Sequence, residues 1–285
     1  MAVEPVIIIG MHRSGTTMLA RQLEALGLFM GKKKESNHEP LLFFAIDSWL
    51  IAQCGASWDN PQAVRYLLEN NEARARVVDY VAQYLLSTPR VISYLGWKGY
   101  FRHKTLLNVD MAWGWKSPLS TFTLPIWLDL FPTCKVIHIR RHGIDVANSL
   151  RQRGRSFVKQ SLSQKIYYKV RVLHAIRPKV GEFIRVRCDS LDGALSLWEE
   201  YVSEAQRHVA SLKHRALEVK YEHLLSHPEE VLNRTAEFCG LHIDQANLRK
   251  AAILVRRERA YAYRAKPDLC AFAERVPERL SANGY

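Results

Sequence analysis

The chain has 285 residues, 48% of them hydrophobic, which is enough material for one sizeable buried core. Lysine and arginine total 41 against 28 aspartate and glutamate residues, and the formal net charge of +13 favours anionic ligands, nucleic acid or an anionic membrane surface. Ordinary charged and aromatic fractions argue against wholesale disorder, and five widely spaced cysteines without a C-x-x-C pair indicate neither a zinc site nor a disulfide framework.

No targeting pattern is recognised in the sequence. The first residues lack the basic segment followed by an apolar stretch that characterises a signal peptide. The apolar run 41–52 is interrupted by Asp47 and is too short to span a bilayer. We therefore expect a cytoplasmic protein without a membrane span.

The first predicted unit consists of a strand, a glycine-bearing loop and a helix. Residues 5–9 form a β-branched run that predicts a strand buried on both faces. Gly10 and Gly15 have the G-x-x-x-x-G spacing of a phosphate-binding loop. The helix predicted over 17–26 has apolar residues at helical spacing, with Gly27 placed as its C-terminal cap.

A second unit repeats this order. Residues 134–139 are predicted to form a strand and 140–143 a turn. A helix is expected from Ile144, with Asp145 in its first turn, where the helix dipole favours a carboxylate.

A third unit lies near the C-terminus. Residues 216–221 are predicted to form a strand, and 228–239 a helix that Gly240 ends. A long amphipathic helix is expected over 191–212.

Strands that alternate with helices predict an α/β fold with a P-loop-type, doubly wound parallel sheet flanked by helices. Ligands of such sheets bind at the carboxyl ends of the strands, so the three turns are expected to face one crevice. The segments of about 40–110 and 150–185 are expected to be mainly helical and to form a cap over it. Without a repeat or a clear linker, one domain over 1–285 is expected.

The first loop has the composition of an anion site. Backbone N–H groups at such a loop and at the following helix N-terminus attract anions. The loop adds hydroxyl groups and one guanidinium, from Arg13, Ser14, Thr16 and Thr17. A nucleotide triphosphatase has lysine where Thr16 stands, so the loop is expected to hold one phosphate-like group without a metal. A βα turn that binds nothing is the simpler alternative.

The segment Arg-Ser-Gly-Thr-Thr over 13–17 resembles the 5′-phosphosulfate loop of sulfotransferases that use 3′-phosphoadenosine 5′-phosphosulfate (PAPS). Cytosolic members have lysine before Ser-Gly-Thr-Thr, whereas tyrosylprotein and many bacterial carbohydrate sulfotransferases have arginine there. The resemblance implies PAPS as donor, adenosine 3′,5′-bisphosphate as product and no metal. It also implies a donor site that includes Arg13, Ser14, Gly15, Thr16 and Thr17.

The second loop resembles the 3′-phosphate segment of the same family. In that segment an arginine at the strand end and a serine eight residues later hold the 3′-phosphate, which implies these roles for Arg141 and Ser149. Alternatively, Ser149 bonds a helix carbonyl and Arg141 pairs with a surface acid. The cytosolic family's C-terminal Arg-Lys-Gly loop is absent, and Arg257, or else Arg264, is expected to replace it.

A third resemblance lies in residues 219–225, which are similar to a strand-end Tyr-Glu-Asp-Leu segment of the family, with His223 in place of the usual Asp. The resemblance makes Tyr221 a candidate adenine contact. A core tyrosine is the alternative.

Sulfuryl transfer requires a base for the acceptor hydroxyl and cations for the sulfonate and leaving phosphate oxygens. Arg13 is a candidate cation, and Lys116 resembles a Lys-x-Pro element that supplies a lysine in related enzymes, with an ordinary surface lysine as the alternative. Pro118 stands where cytosolic members have a catalytic histidine. Tyrosylprotein and trehalose-type enzymes have a glutamate shortly after the first helix, and Glu39 occupies such a position. Because Glu39 precedes an apolar run, we expect it to be partly buried with a raised pKa, and a solvated loop carboxylate is the alternative. Further candidates for the base are Glu35, His38 and His12.

The leading hypothesis is a PAPS-dependent sulfotransferase that acts on a hydroxyl group. The acceptor is expected to be a carbohydrate or another small molecule, with a lipid or sterol also open. A P-loop kinase is the alternative enzyme, but Thr16 stands in place of the required lysine. A basic nucleic-acid-binding protein is the alternative of another class, but no recognisable DNA- or RNA-binding motif accompanies the charge.

Overall fold

The computed structural model describes residues 3–86, 88–158, 186–253, 255 and 257–285. Residues 159–185 of the predicted helical cap, and Arg256, lie outside the described residues. The chain divides into two compact units. The first comprises Met1–Arg141 and Tyr201–Tyr261, and the second comprises His142–Glu200 and Ala262–Tyr285.

The first unit contains a parallel four-stranded sheet. Its strands are β1 (Val6–Ile9), β2 (Gly114–Lys116), β3 (Lys135–Arg140) and β4 (Ala216–Lys220), in the order β2-β1-β3-β4. Strand β1 pairs with β2 on one edge and with β3 on the other, and β4 pairs with β3. A parallel sheet whose strands are connected by helices confirms the predicted α/β class. All four strands are parallel, and their carboxyl ends therefore lie at one edge.

Strand β2 was missing from the sequence-based prediction. It has only three residues and pairs with β1 in register, with Ile8 opposite Lys116. Gly114 is required there, because a Cβ atom at this position would lie 2.0 Å from the carbonyl oxygen of Val6. The short strand places Lys116 at the carboxyl edge of the sheet.

Helices surround the sheet in the first unit. They are α1 (Thr16–Ala25), α2 (Leu41–Gln53), α3 (Val64–Glu69), α4 (Asn71–Tyr80), α5 (Ile92–His103) and α6 (Ser120–Leu130) before β3, and α9 (Tyr221–Ser226), α10 (Pro228–Phe238) and α11 (Gln245–Ile253) after β4. Single π or 3-10 turns lie at Val81–Leu86, Pro89–Val91, Leu106–Asn108, Lys213–Arg215 and Arg257–Arg259. The helical character predicted for 40–110 is confirmed.

Alternating side chains of β1 enter two separate hydrophobic clusters. Ile7 and Ile9 are fully buried with Phe43 of α2 and Trp115 of β2 in the first cluster. Ile8 belongs to the second cluster, which α1, α9, α10 and α11 complete. A strand buried on both faces matches the continuous β-branched run of the sequence. The helices α2 and α5 thus belong to the same core as the sheet.

The second unit is helical. It contains α7 (Gly143–Val158), α12 (Pro267–Glu274), α13 (Pro277–Ser281) and 3-10 turns at Val186–Asp189 and Ala262–Ala265. Helix α8 (Leu191–Leu212) begins in this unit and ends in the first, with the bounds that the sequence predicted. Arg279 of α13 forms ion pairs with Glu199 at 2.6 Å and Asp192 at 3.3 Å. No helix among the described residues is long and apolar enough to cross a lipid bilayer.

Candidate active site

The loop between β1 and α1 is held in a strained, glycine-dependent conformation. Gly10 and Gly15 have φ angles of 136° and 96°, and Arg13 adopts a positive φ of 72°. Only glycine adopts such angles without cost, so the arginine at position 13 is in an unusual backbone conformation that other contacts must maintain. The amide of Gly10 donates to Thr121 Oγ1 at 3.2 Å, which holds the start of the loop against α6.

Ser14 is the residue of this loop that most directly suggests a ligand. Its side chain is completely buried, and its Oγ has no hydrogen-bond partner among the described residues. Buried hydroxyl groups are normally satisfied, because leaving one unpaired costs about 1–3 kcal/mol. An anion bound against the loop would accept this hydrogen bond.

Tyr221 packs against the same loop from the start of α9. A Cβ atom at Gly15 would lie 2.4 Å from the Tyr221 ring, so the glycine permits this close approach. The guanidinium of Arg141 lies 4.8 Å from the centre of the Tyr221 ring. Arg141 also donates to the carbonyl oxygen of Arg259 at 3.0 Å. The structure therefore brings Arg13, Tyr221 and Arg141 into one region of the first unit.

The remaining residues predicted for the 3′-phosphate belong to different units of the chain. Arg257 is exposed on the 3-10 turn of the first unit, next to the segment that Arg141 contacts. Ser149 is half-buried in α7 of the second unit, and Arg264 is exposed in that unit. In the same unit Asp145 accepts the backbone amides of Tyr263 at 2.7 Å and Ala262 at 3.2 Å. The pairing of Arg141 with Ser149 stays a prediction.

Lys116 and Glu39 form a buried pair at the carboxyl end of β2. Lys116 Nζ lies 2.7 Å from Glu39 Oε1, and the two residues are 1% and 2% exposed. Lys116 is therefore not an ordinary surface lysine, which was the alternative interpretation of the sequence. The amide of Ser117 donates to the carbonyl oxygen of Ile8 at 3.2 Å, so the pair lies beside the strand that leads into the Gly10 loop.

Burial disfavours the charged forms of both partners. Desolvation raises the pKa of the Glu39 carboxyl, while the adjacent Lys116 ammonium opposes this shift. Desolvation likewise lowers the pKa of Lys116, and Glu39 opposes that shift. A raised pKa makes a carboxylate a stronger proton acceptor, which suits the role of a general base.

Glu35 has a structural role in the turn that carries Glu39. Its Oε1 accepts the amides of Asn37 at 2.6 Å and Glu39 at 3.2 Å, which closes the turn. Thr17 Oγ1 donates to the carbonyl oxygen of Asn37 at 2.8 Å. The contact connects the first turn of α1 to the turn that ends at Glu39. The contact of Thr17 with phosphate stays a prediction.

The two histidines that were further candidates for the base each contact another side chain. His38 Nε2 is 2.8 Å from Glu24 Oε2, and burial lowers the pKa of His38. His12 packs edge-on against Trp58, with ring centres 5.1 Å apart. Thr16 is buried in the first turn of α1.

Asp47 is a buried residue near the site that the sequence analysis did not assign. Its carboxylate accepts Ser120 Oγ at 2.6 Å, Thr123 Oγ1 at 2.6 Å and Trp127 Nε1 at 2.8 Å, all from α6. These bonds fix α2 against the helix that follows Lys116. The available signal was a single acid within an otherwise apolar helix.

The site therefore combines a glycine-dependent loop, which has a buried hydroxyl without a hydrogen-bond partner among the described residues, with a buried carboxylate–lysine pair. Such an arrangement can bind a transferable anionic group and remove a proton from a neutral acceptor. Within the described part of the chain, no group of three or more His, Cys, Asp or Glu side chains is arranged to hold a metal ion.

Comparisons with known proteins identify the fold and the family of this chain. The sulfotransferase domain from the curacin biosynthetic pathway is 16% identical with a TM-score of 0.51, and the match covers 97% of this chain and 99% of that one. A sulfotransferase from Alicyclobacillus acidocaldarius is 16% identical with a TM-score of 0.48, with 99% and 96% covered. No match was found among curated proteins. The model of the sulfotransferase family matches residues 5–245, which include the loop, Glu39, Lys116, Arg141 and Tyr221, and the chain therefore belongs to the sulfotransferase family.

Proposed function

We propose that this protein transfers the sulfuryl group of PAPS to a hydroxyl group of an acceptor molecule. The observation that carries the proposal is the buried Glu39–Lys116 pair, which lies beside the β1–α1 loop at the carboxyl edge of the sheet. Membership of the sulfotransferase family supports sulfuryl transfer in general.

The residues of the loop are compatible with the 5′-phosphosulfate end of PAPS. The unpartnered, buried Ser14 hydroxyl supports this fit, and the exposed guanidinium of Arg13 would add a planar charged donor for phosphate or sulfate oxygens. Gly15 and Thr16 would contribute backbone amides at the helix N-terminus. When bound, PAPS supplies an activated sulfuryl group, and no metal ion is required in this proposal.

The other end of the donor is assigned to the region around Tyr221. We propose Tyr221 as the adenine contact and Arg141 with Ser149 and Arg257 as 3′-phosphate ligands. The support is the placement of Arg141 over the Tyr221 ring, which itself packs on Gly15 of the first loop.

Glu39 is proposed as the base that takes the proton of the acceptor hydroxyl. Lys116 holds the carboxylate in place through its 2.7 Å contact and supplies positive charge beside the loop. Arg13 is proposed to stabilise the negative charge that develops on the leaving phosphate.

The acceptor is proposed to be a carbohydrate, because the Arg-Ser-Gly-Thr-Thr loop resembles that of bacterial carbohydrate sulfotransferases. Another small molecule or a lipid is the alternative. We further propose that the two units act together as one catalytic domain, and that the protein works in the cytoplasm without nucleic acid as a partner.

The direct test is a PAPS-consumption assay with a panel of glycans, lipids and phenols, run with and without EDTA. We expect adenosine 3′,5′-bisphosphate to form with at least one hydroxyl acceptor, at a rate that EDTA does not change. Magnesium-dependent turnover of ATP with no consumption of PAPS would contradict the proposal and support the kinase alternative.

The role of Lys116 is tested by the pH dependence of Lys116→Met. The ammonium opposes the burial-induced rise of the Glu39 pKa, so its removal raises that pKa further. Because a base is active only when deprotonated, the acid limb of kcat/KM is expected to move to higher pH. Lys250→Met, which removes an exposed lysine of α11, is the matched control. An acid limb at the wild-type pH in Lys116→Met would show that the lysine does not tune Glu39.

A further inference from the structure

The second half of α5 presents an unusual set of side chains to solvent. Trp97 and Phe101 are 66% and 64% exposed, and Leu107, shortly after the helix, is 42% exposed. Lys98 and Lys104 lie among them and are also exposed. We call these five residues the α5 surface.

The backbone explains why this part of α5 faces outward. Gly96 has φ 72° and ψ 169°, which are not helical angles, and it separates the buried start of α5 from its exposed end. A residue with a side chain would be strained at such a positive φ. Before the interruption Tyr94 and Leu95 are buried in the core, and after it Trp97 is exposed.

The aromatic residues of the α5 surface form a contiguous group. Trp97 and Phe101 are four residues apart on one helix face, and their ring centres are 6.2 Å apart. Lys104 Nζ lies 5.4 Å from the centre of the Phe101 ring. Arg102 is paired with Asp110 at 2.7 Å, and this acid offsets its charge.

Lysines predominate among the charged residues next to the α5 surface. No acidic residue occurs in the sequence between Asp79 and Asp110. The amides of Lys32 and Lys33 donate to the carbonyl oxygens of Tyr94 and Ser93, which brings two more exposed lysines beside α5. A Cβ atom at Gly96 would lie 3.2 Å from Lys32 Cγ, so this lysine stem lies directly against the interruption.

Isolated exposed hydrophobic residues are ordinary on protein surfaces. The α5 surface is unusual because three large exposed hydrophobic residues lie close together in a stretch of sequence that contains lysines and no acid between them. This composition matches that of helices that lie on membranes. Tryptophan prefers the headgroup level of a bilayer, and lysine prefers anionic lipid phosphates. We propose that the α5 surface, with Lys32 and Lys33, binds peripherally to an anionic lipid membrane. The proposal is independent of the proposed sulfuryl transfer.

Co-sedimentation of the full chain with vesicles tests this proposal. Vesicles of phosphatidylcholine with phosphatidylglycerol should bind the protein, and binding should weaken with added salt. Vesicles of phosphatidylcholine alone should bind it much less. Lys98→Ala/Lys104→Ala should reduce binding about tenfold or more, since each cation contributes roughly a factor of five. Trp97→Ala/Phe101→Ala should abolish it.

Intrinsic fluorescence provides a second readout that reports the position of one side chain. All seven tryptophans lie in the described residues, and Trp97 is the exposed one among them. Binding to anionic vesicles should shift the emission to the blue, because Trp97 enters a less polar environment. Trp97→Phe should keep most of the binding and lose the shift.

Tyr66→Ala is the matched control, because Tyr66 is also 63% exposed and lies 5.0 Å from the Arg65 guanidinium, but away from the α5 surface in sequence. It should bind vesicles like the wild type. Equal binding by the wild type and Trp97→Ala/Phe101→Ala would overturn the proposal. A second result would also overturn it: the wild type binds no anionic vesicles, light scattering shows it to be a dimer, and Trp97→Ala/Phe101→Ala is a monomer. The α5 surface would then join two copies of the chain.

Discussion

Replacement of Glu39 by glutamine is expected to lower turnover by about 10²–10⁴-fold, which is the usual contribution of a general base. Glutamine has nearly the same shape and can still accept a hydrogen bond from Lys116, but it cannot take a proton. Affinity for adenosine 3′,5′-bisphosphate should stay close to that of the wild type, because Glu39 is proposed to act on the acceptor. Single-turnover kinetics with PAPS and titration calorimetry with the product nucleotide measure the two effects separately.

Glu35→Gln is the matched control for this experiment. Glu35 closes the turn by accepting the amides of Asn37 and Glu39, and a glutamine oxygen can still accept them. We therefore expect only a small loss of turnover. A full wild-type rate in Glu39→Gln, or a larger loss in Glu35→Gln, would show that Glu39 is not the base.

Replacement of Arg13 by alanine is expected to weaken both donor binding and turnover. The loss of one charge-assisted hydrogen bond corresponds to about 1.5–3 kcal/mol, or roughly a 10–100-fold decrease in affinity for adenosine 3′,5′-bisphosphate. Turnover should fall by a further 10²–10³-fold or so, because charge develops on the leaving phosphate only during transfer. Calorimetry and single-turnover rates at saturating PAPS separate the two losses.

Arg13→Lys is the informative companion variant. It keeps the positive charge but loses the planar fork that can contact two oxygens at once. We expect an affinity between those of the wild type and Arg13→Ala. Thermal unfolding of each variant serves as a stability control, since Arg13 has a positive φ that alanine tolerates no better. Wild-type affinity in Arg13→Ala would remove this residue from the donor site.

The strand and loop around position 10 could be predicted because their signals are local. A β-branched run, two correctly spaced glycines and a following helical pattern lie within about twenty consecutive residues. The same holds for β3 and for α8, whose apolar residues repeat at helical spacing. The predicted burial of Glu39 is also confirmed, and its position just before the apolar α2 was the signal.

The partner of Glu39 could not be predicted from local patterns. Lys116 lies 77 residues away in sequence, and its burial depends on β2, a strand of three residues that exists because β1 pairs with it. Strand propensity is weak evidence for so short a segment. Asp47 was recognised only as an interruption of an apolar run, since Ser120, Thr123 and Trp127, which donate to its carboxylate, lie on another helix.

A crystal structure of the full chain with adenosine 3′,5′-bisphosphate would test most directly whether the β1–α1 loop binds the sulfuryl donor. We predict that the 5′-phosphate accepts a hydrogen bond from the buried Ser14 hydroxyl and contacts Arg13, with the adenine next to Tyr221. A nucleotide bound with its 5′-phosphate away from Ser14, or no binding at millimolar concentration, would contradict this assignment.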